Sequence, residues 1–165
     1  MVCAFSGHRP EKLPWGGDER DARCAALKLQ IFRAAEQAYR DGYSEFACGM
    51  ARGCDLYFFD AVALLRAGFP DIRVTAWLPC PEQAARWNAA DRARHEAALS
   101  QCDRIVTVEP AYSPGCMLRR NYYMVERSGL LIALYDGTPG GGTCNTLLYA
   151  IRRALDVIQL DPAQF

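Results

Sequence analysis

Short apolar runs alternate with longer helical patterns from one end of this 165-residue chain to the other. Strands of this kind, separated by helices, require right-handed crossovers and a mostly parallel sheet. The pattern therefore predicts an α/β fold, a three-layer doubly wound domain with a sheet of about six strands. The strands are predicted at 2–5, 44–49, 71–79, 103–110, 129–137 and 156–162, and the helices at 18–42, 55–68, 115–129 and 143–155, with one or two more in 81–102.

The composition narrows the classes of function. Hydrophobic residues make up 51% of the chain, and its length suits one domain over residues 1–165. The 19 basic and 19 acidic residues cancel, which disfavours duplex DNA because proteins that bind it without sequence preference are usually basic. No apolar run reaches the roughly 18–20 residues of a membrane span, and the first residues do not resemble a signal peptide. We expect a cytoplasmic protein without a membrane partner.

The eight cysteines suggest a disulfide framework or a metal site until their positions are compared. They form no C-x-x-C pair and lie near no pair of histidines, so we expect reduced thiols and neither a metal nor a cofactor. Cys54, Cys116 and Cys144 fall near predicted helix starts, where a thiolate is stabilised. Both histidines lie elsewhere in the sequence, which favours ordinary thiols over a catalytic cysteine.

Ligands of a doubly wound sheet bind outside the carboxyl ends of its strands, and four of the loops predicted there are unusual. The first loop, SGHRP, contains Ser6, Gly7, His8 and Arg9. Its glycine permits close backbone approach, its arginine offers a forked cation for phosphate or carboxylate, and its histidine titrates near neutrality. We predict that this loop contacts the ligand. Trp15, a few residues later, either stacks on a base or packs against its own loop.

The second loop, GMARGCD, follows the second strand and leads directly into a helix. Gly49 and Gly53 flank Arg52, so backbone amides, a guanidinium and the helix dipole can all face an anion. Asp55 is ambiguous, because it either caps the helix or binds a sugar hydroxyl.

The third loop, EPAYSPGCMLRRN, places Arg119 and Arg120 in the first turns of a helix. Adjacent helical residues point about 100° apart. We therefore predict that at most one of the two arginines faces the site and that the other is solvated.

The fourth loop, DGTPGGGT, contains three consecutive glycines, Gly140, Gly141 and Gly142, before a helix that begins at Thr143. It lacks the G-K-[ST] ending of a P-loop, and the chain lacks a G-x-G-x-x-G fingerprint after its first strand. A simple left-handed turn does not need three glycines. We therefore predict that these four residues form a phosphate cradle.

Four segments in this order, SGHRP, GMARGCD, CMLRRNYYMV and GGTCNTLLYAI, resemble the YpsA-like family of the SLOG superfamily. That superfamily also includes the DNA-processing (Smf) proteins and the Lonely Guy phosphoribohydrolases. The resemblance runs over nearly the whole chain and implies a Rossmann-like fold whose loops hold nucleotides or related phosphate-bearing molecules.

The resemblance also assigns roles to single residues. Arg120 falls where the phosphoribohydrolases have their catalytic arginine, and Thr143 falls where they bind phosphate. Their essential glutamate corresponds to Thr146, and a hydroxyl cannot replace a carboxylate as acid or base. Asp55, Glu126 and Asp136 remain open as substitutes. A glutamate placed at position 146 is expected to be tolerated, because the dipole of the helix N-terminus favours an acid.

Three functions follow as hypotheses. The leading one is a protein that binds a small nucleotide-type ligand, as a sensor or regulator. The alternative is an N-glycosidic hydrolase of a nucleotide, with Arg120 and a relocated carboxylate such as Asp55 as its catalytic residues. The third is single-stranded DNA binding, against which the neutral charge weighs. A homo-oligomer and a regulatory protein partner both remain open.

Overall fold

A computed structural model describes residues 1–164. It contains a six-stranded sheet in the order β4-β3-β2-β1-β5-β6, in which every neighbouring pair is parallel. The predicted α/β class and the doubly wound, Rossmann-like architecture are confirmed. The strands are β1 (Val2–Ser6), β2 (Glu45–Cys48), β3 (Arg73–Leu78), β4 (Arg104–Thr107), β5 (Leu130–Leu134) and β6 (Asp156–Leu160). The helices are α1 (Ala22–Arg40), α2 (Cys54–Gly68), α3 (Ala89–Leu99), α4 (Cys116–Glu126) and α5 (Gly142–Arg152).

The helices cover both faces of the sheet. Helices α1 and α2 pack together on one face, and α4 and α5 pack together on the other. The larger apolar core lies under α1 and α2, where Phe5 stacks on Phe58 with ring centroids 4.5 Å apart. The smaller core joins Met124 and Leu147 to the central strands. Burial of an apolar stripe on each helix drives this three-layer arrangement.

The segment 81–102, predicted to hold one or two helices, contains only α3 as an α-helix. Asn88 starts that helix, because its side chain accepts a hydrogen bond from the amide of Asp91 at 2.8 Å. Residues before Asn88 form turns instead, and they lie beside the carboxyl end of β3.

The chain order reverses between β1 and β5. From β1 the chain adds β2, β3 and β4 on one side and then returns to place β5 on the other. The loops that leave β1 and β5 therefore diverge, and a crevice opens between them. No helix within residues 1–164 is long and apolar enough to cross a membrane.

Candidate functional site

A cleft of about 480 Å³ lies at this reversal of strand order, and we call it the switch-point cleft. Loops after β1, β2 and β5 and the start of α4 line it. Three basic side chains reach it, those of Arg9, Lys12 and Arg120, together with the acidic side chains of Glu11 and Asp55. Its volume is within the range of about 300–1,000 Å³ that is usual for small-molecule sites.

Arg120 forms the floor of the cleft and is only 3% exposed. Its Nη1 donates hydrogen bonds to the carbonyl oxygens of Gly49 and Trp77, and its Nε donates to Oδ1 of Asn121 at 2.7 Å. Among residues 1–164 no acceptor is hydrogen-bonded to its Nη2. The guanidinium is thus fixed by the protein on two nitrogens and left with one donor group for a ligand.

Asp55 lies beside Arg120 at the floor, and of its two possible roles the structure excludes the cap of α2. The helix begins one residue earlier, at Cys54, with Gly53 at the capping position. Asp55 is therefore inside the first turn, where its Oδ2 accepts a hydrogen bond from the amide of Ala51 at 3.1 Å. The carboxylate closes the loop in front of the helix and leaves the helix itself without a side-chain cap.

Gly49 makes the approach of these two side chains feasible. A Cβ on Gly49 would lie 2.6 Å from Cζ of Arg120 and 2.9 Å from Oδ2 of Asp55. Any other residue at this position would displace one of the two charged groups, because real Cβ atoms do not approach other atoms so closely. The glycine predicted to face an anion thus serves first to admit the floor of the site.

The charges at the floor compensate each other only in part. Burial is the main influence on both groups, and it lowers the pKa of Arg120 and raises the pKa of Asp55. Their mutual attraction opposes both shifts but does not cancel them. A buried cation in this state gains most from a further anionic partner.

The glycine loop forms the rim of the cleft. Gly140 and Gly141 have φ values of +82° and +86°, which favour glycine, and Gly142 begins α5. All three are exposed, and no side chain caps the helix. The amides of the first turn therefore have no partner within the helix. Thr143, which is 8% exposed, also lines the cleft.

Lys12 was missed in the sequence although it reaches the rim. A Cβ on Gly141 would lie 2.6 Å from its Nζ, so the ammonium group stands directly beside the glycine loop. A short 3₁₀ turn over Pro10–Lys12 brings the side chain there. The one feature of the nearby sequence that indicates this turn is Pro10, because proline is favoured at the first position of a helical turn.

A chain of hydrogen bonds joins the floor to the rim. Asn121 accepts from Nε of Arg120 and donates through Nδ2 to Oγ1 of Thr146 at 3.0 Å, and that hydroxyl donates to the carbonyl oxygen of Gly142 at 2.7 Å. Thr146 is fully buried. This burial opposes the expectation that a glutamate is tolerated at this position, because the side chain lies between α4 and α5 and not in the cleft. Asn121, which sequence reasoning also missed, lines the cleft.

Several predicted site residues do not line the cleft. His8 is buried, with its Nε2 3.4 Å from Oδ1 of Asp136, and burial lowers the pKa of its imidazole while Asp136 opposes this shift. Arg52 is absent from the lining of the cleft and pairs with Glu11 and Asp91. Arg119 lies at the surface and pairs with Glu109.

Two further predicted residues, Gly53 and Trp15, make structural contacts only. Gly53 packs against Pro10 and the carbonyl oxygen of His8, which leave no room for a side chain. Trp15 is 8% exposed and packs within the core under its own loop, so of its two proposed roles the structure places it in the packing one. Ser6 and Gly7 line the cleft at the end of β1.

Of the three carboxylates left open by the sequence, Asp55 lines the cleft. Asp136 lies beside His8, and Glu126 accepts a hydrogen bond from the hydroxyl of Tyr149 at 2.6 Å. The structure thus brings one carboxylate, and not the other two, into contact with the cleft.

The cysteines offer no comparable centre. All eight are free, and Cys54, Cys116 and Cys144 are buried. Burial raises the pKa of the Cys54 thiol, which opposes a reactive thiolate at the start of α2. Among residues 1–164, no three His, Cys, Asp or Glu side chains are grouped so as to hold a metal ion.

Comparison of the sequence with known proteins finds a match to the model of the YspA SLOG family over residues 3–155. A UPF0398 protein of Bacillus cereus (strain B4264) is 26% identical over 138 residues, which are 82% of this chain and 74% of the relative. A UPF0398 protein of Bacillus thuringiensis (strain Al Hakam) matches with the same identity and coverage.

Two solved structures share the fold. DNA processing protein A of Streptococcus pneumoniae superposes with a TM-score of 0.62 at 15% identity over 96% of this chain, which spans about half (49%) of that protein. DNA processing protein A of Helicobacter pylori, whose structure was described for its single-stranded DNA binding mode, gives a TM-score of 0.64 at 16% identity over 99% of this chain and 70% of that one. At these identities the likeness concerns the fold alone.

Proposed function

This chain belongs to the YspA SLOG family, and from that premise we propose that it binds a phosphate-bearing, nucleotide-type ligand in the switch-point cleft. The family match confirms the resemblance to the YpsA-like family that the four loop segments indicated. The ligand acts as a signal, and the protein transmits it as a sensor or regulator through a partner protein or a second copy of itself. The eight free cysteines fit the reducing cytoplasm as the place of action.

The observation that carries this proposal is the buried guanidinium of Arg120. It is anchored to two carbonyl oxygens and retains a donor group without a protein acceptor among residues 1–164. Arg9 and Lys12 add positive charge above it, and the glycine loop adds unpartnered amides. A planar guanidinium with backbone amides opposite is an arrangement that suits phosphate oxygens.

Binding without bond cleavage is favoured by the position of Thr146. The phosphoribohydrolase-type glutamate would stand there, and the threonine hydroxyl is instead buried and engaged in hydrogen bonds to Asn121 and Gly142. The resemblance to the phosphoribohydrolases therefore supplies no catalytic carboxylate at this position.

A second candidate, N-glycosidic hydrolysis, is favoured by one specific observation. Asp55 lines the cleft, and burial raises the pKa of its carboxyl group. A carboxyl group with a raised pKa can remain protonated and donate a proton to a leaving base. In this candidate Arg120 holds the phosphate or the ribose and Asp55 is the general acid.

Single-stranded DNA is the weakest of the three candidates. The fold similarity to the DNA processing proteins supports it. The chain itself has no net charge, and strand binding usually needs a basic groove along the backbone.

The first experiment is a thermal-shift screen in EDTA with AMP and ADP-ribose. Both are expected to raise the melting temperature, because guanidinium and amide groups can bind phosphate without magnesium.

Titration calorimetry then compares Arg9→Ala and Arg120→Ala with the control Arg153→Ala, which changes an exposed arginine just after α5. Loss of a charge-assisted phosphate contact is expected to weaken binding about ten- to hundredfold. An absent shift with every phosphorylated nucleoside at millimolar concentration, or equal losses in all three variants, would contradict the proposal.

A further inference from the structure

A second cavity, of about 670 Å³, adjoins the switch-point cleft. It lies beyond the carboxyl ends of β3 and β4, and we call it the aromatic pocket. Met117 lines both cavities, and its Sδ accepts a hydrogen bond from Nη2 of Arg9 at 2.8 Å. The residues of the pocket that carry the argument are Cys80, Gln83, Trp87, Ala111, Tyr112 and Met117.

Two aromatic rings in this pocket differ in how they are held. Trp87 meets His95 edge to face at 5.0 Å, and the imidazole of His95 is itself hydrogen-bonded to the carbonyl oxygen of Met50 at 3.1 Å. Tyr112 is 66% exposed. A fixed ring and an exposed ring in one cavity are suited to take up a planar group, because aromatic side chains stack on bases of any sequence.

Glu82 and Arg86 line the pocket with exposed side chains, and its buried polar group is the side-chain amide of Gln83, which is 6% exposed. Its Nε2 donates to the carbonyl oxygen of Gly49 at 2.9 Å. A carbonyl oxygen can only accept, so this bond fixes the orientation of the amide. Oε1 of Gln83 is consequently a buried acceptor, and no donor within residues 1–164 satisfies it.

The same carbonyl oxygen of Gly49 also accepts from Nη1 of Arg120. One backbone atom therefore positions both the cation of the switch-point cleft and the amide of the aromatic pocket. A ligand with an anionic part and a planar part, joined by a short linker, would meet both at once.

We propose that the aromatic pocket binds the base of the nucleotide whose phosphate occupies the switch-point cleft. Trp87 and Tyr112 contact the base, and Oε1 of Gln83 accepts a hydrogen bond from an exocyclic amino group. The ligand class is thereby narrowed to nucleotides of amino-bearing bases. This inference rests on the proposed function, because it assigns the second half of the same ligand.

The test is titration calorimetry with ribose 5-phosphate, AMP and IMP on the wild type, Tyr112→Ala, Tyr112→Phe and the control Tyr123→Ala. Tyr123 is an exposed tyrosine of α4 outside both cavities. Tyr112→Ala is expected to weaken AMP binding about five- to 150-fold, the effect of losing one stacking ring. Its binding of ribose 5-phosphate stays at the wild-type level, as does AMP binding by Tyr112→Phe and Tyr123→Ala. The wild type binds AMP more tightly than IMP, which lacks the amino group.

The outcomes separate the two proposals. Ribose 5-phosphate binding as tightly as AMP, or Tyr112→Ala weakening both compounds equally, would overturn the base pocket and leave the phosphate site standing. Equal affinity for AMP and IMP would overturn the role of Gln83. If neither ribose 5-phosphate nor AMP binds, the proposed function fails and the base pocket fails with it.

Discussion

At the floor of the switch-point cleft a Cβ on Gly49 would lie 2.6 Å from Cζ of Arg120, whereas at the rim a Cβ on Gly140 would meet nothing within 4 Å. Glycine is needed at the floor because protein side chains fill the space. At the rim Gly140 and Gly141 are needed because their φ values are positive, and the space beside Gly140 is left open. The floor is thus organised by packing, and the rim by backbone conformation. The open space at the rim is where a ligand can come closest to the chain.

The two halves are nevertheless connected. The hydrogen bonds from Arg120 through Asn121 and Thr146 to Gly142 run from the floor to the rim. A change at one end therefore has a structural route to the other. Separate substitutions at the floor, at the rim and in the hydrogen-bonded link through Asn121 and Thr146 test whether the floor depends on packing and the rim on backbone conformation.

The largest effect is expected from Thr146→Glu, which breaks the link. The variant places a carboxylate at a fully buried position and removes both hydrogen bonds of the hydroxyl. An uncompensated buried charge costs about 3–5 kcal/mol of unfolding free energy. Thr146→Val, which keeps the shape but leaves Nδ2 of Asn121 without its acceptor, should cost about 1–3 kcal/mol.

Urea unfolding of both variants measures these losses, and chromatography of free adenine after incubation with AMP measures activity. The wild type is expected to release little or no base. A Thr146→Glu variant as stable as the wild type that also releases adenine would show that position 146 faces the cleft, and it would favour the hydrolase.

Gly49→Ala breaks the floor. The added methyl group must displace Arg120 or Asp55, and overpacking of this kind costs about 1–3 kcal/mol. Because Arg120 is the nearer of the two groups, we expect it to move and AMP affinity to fall by about tenfold or more. The matched control is Gly68→Ala at the end of α2, where an added Cβ meets nothing within 4 Å. Wild-type stability and affinity in Gly49→Ala would mean that the floor is not packed as described.

The fold follows from the sequence because it depends on periodicity, and the site follows only in part. In α1, Leu27, Ile31 and Ala38 recur at the helical period, and all three are buried in the core. One of the two adjacent arginines is buried and the other is exposed, as helical geometry requires, but the sequence could not show which one would be buried. Met124, one turn after Arg120, packs against the sheet and so turns the Arg120 side of α4 inward.

The residues whose roles were not predicted from the sequence share a physical cause. Asp55 does not cap α2 because the capping position is Gly53, two residues earlier, which places Asp55 inside the first turn of the helix. Thr146 is buried because α4 and α5 pack together, and Lys12 lies beside Gly141, which is distant from it in the sequence. These facts depend on contacts between distant segments, for which local patterns carry no signal.

A smaller effect, dependent on pH, is expected from Asp55→Asn at the floor. Because burial raises the pKa of Asp55 above its ordinary value of 3.8, the folded protein holds this proton more tightly than the unfolded chain does. Ionisation therefore costs stability, and the cost appears as the pH rises from about 3.8 through the raised pKa. The asparagine variant should be more stable than the wild type at neutral pH, and the difference should shrink towards acid pH.

Denaturant unfolding of both proteins across the pH range gives the difference in their unfolding free energies. The other carboxyl groups contribute equally to both proteins, so their effects cancel in this difference. AMP affinity should rise in Asp55→Asn, because one negative charge leaves the cleft. A variant less stable than the wild type at neutral pH would show that the ionised carboxylate is stabilised by Arg120 more than it is penalised by burial. Adenine release by the wild type that Asp55→Asn abolishes would identify the hydrolase.

The smallest change in stability is expected at the rim, from Gly142→Ala. Gly142 begins α5, its φ is not positive, and an added Cβ would meet only Nδ2 of Asn121 at 4.0 Å. Alanine is a better helix former than glycine, so the unfolding free energy should stay the same or rise by up to about 1 kcal/mol. Gly141→Ala is the contrasting variant, because φ +86° and ψ 172° are accessible almost only to glycine, and it should lose about 1–3 kcal/mol.

Ligand affinity then decides what the open rim is for. If a phosphate group lies against the loop, the methyl group of Gly142→Ala occupies its place, and AMP affinity should fall about tenfold or more without any loss of stability. Unfolding and AMP titration of the same preparation measure the two quantities independently. Unchanged affinity in a fully stable Gly142→Ala protein would mean that the ligand does not touch the loop. The three glycines would then serve the turn alone, and the anchoring of the ligand would rest on Arg120 at the floor.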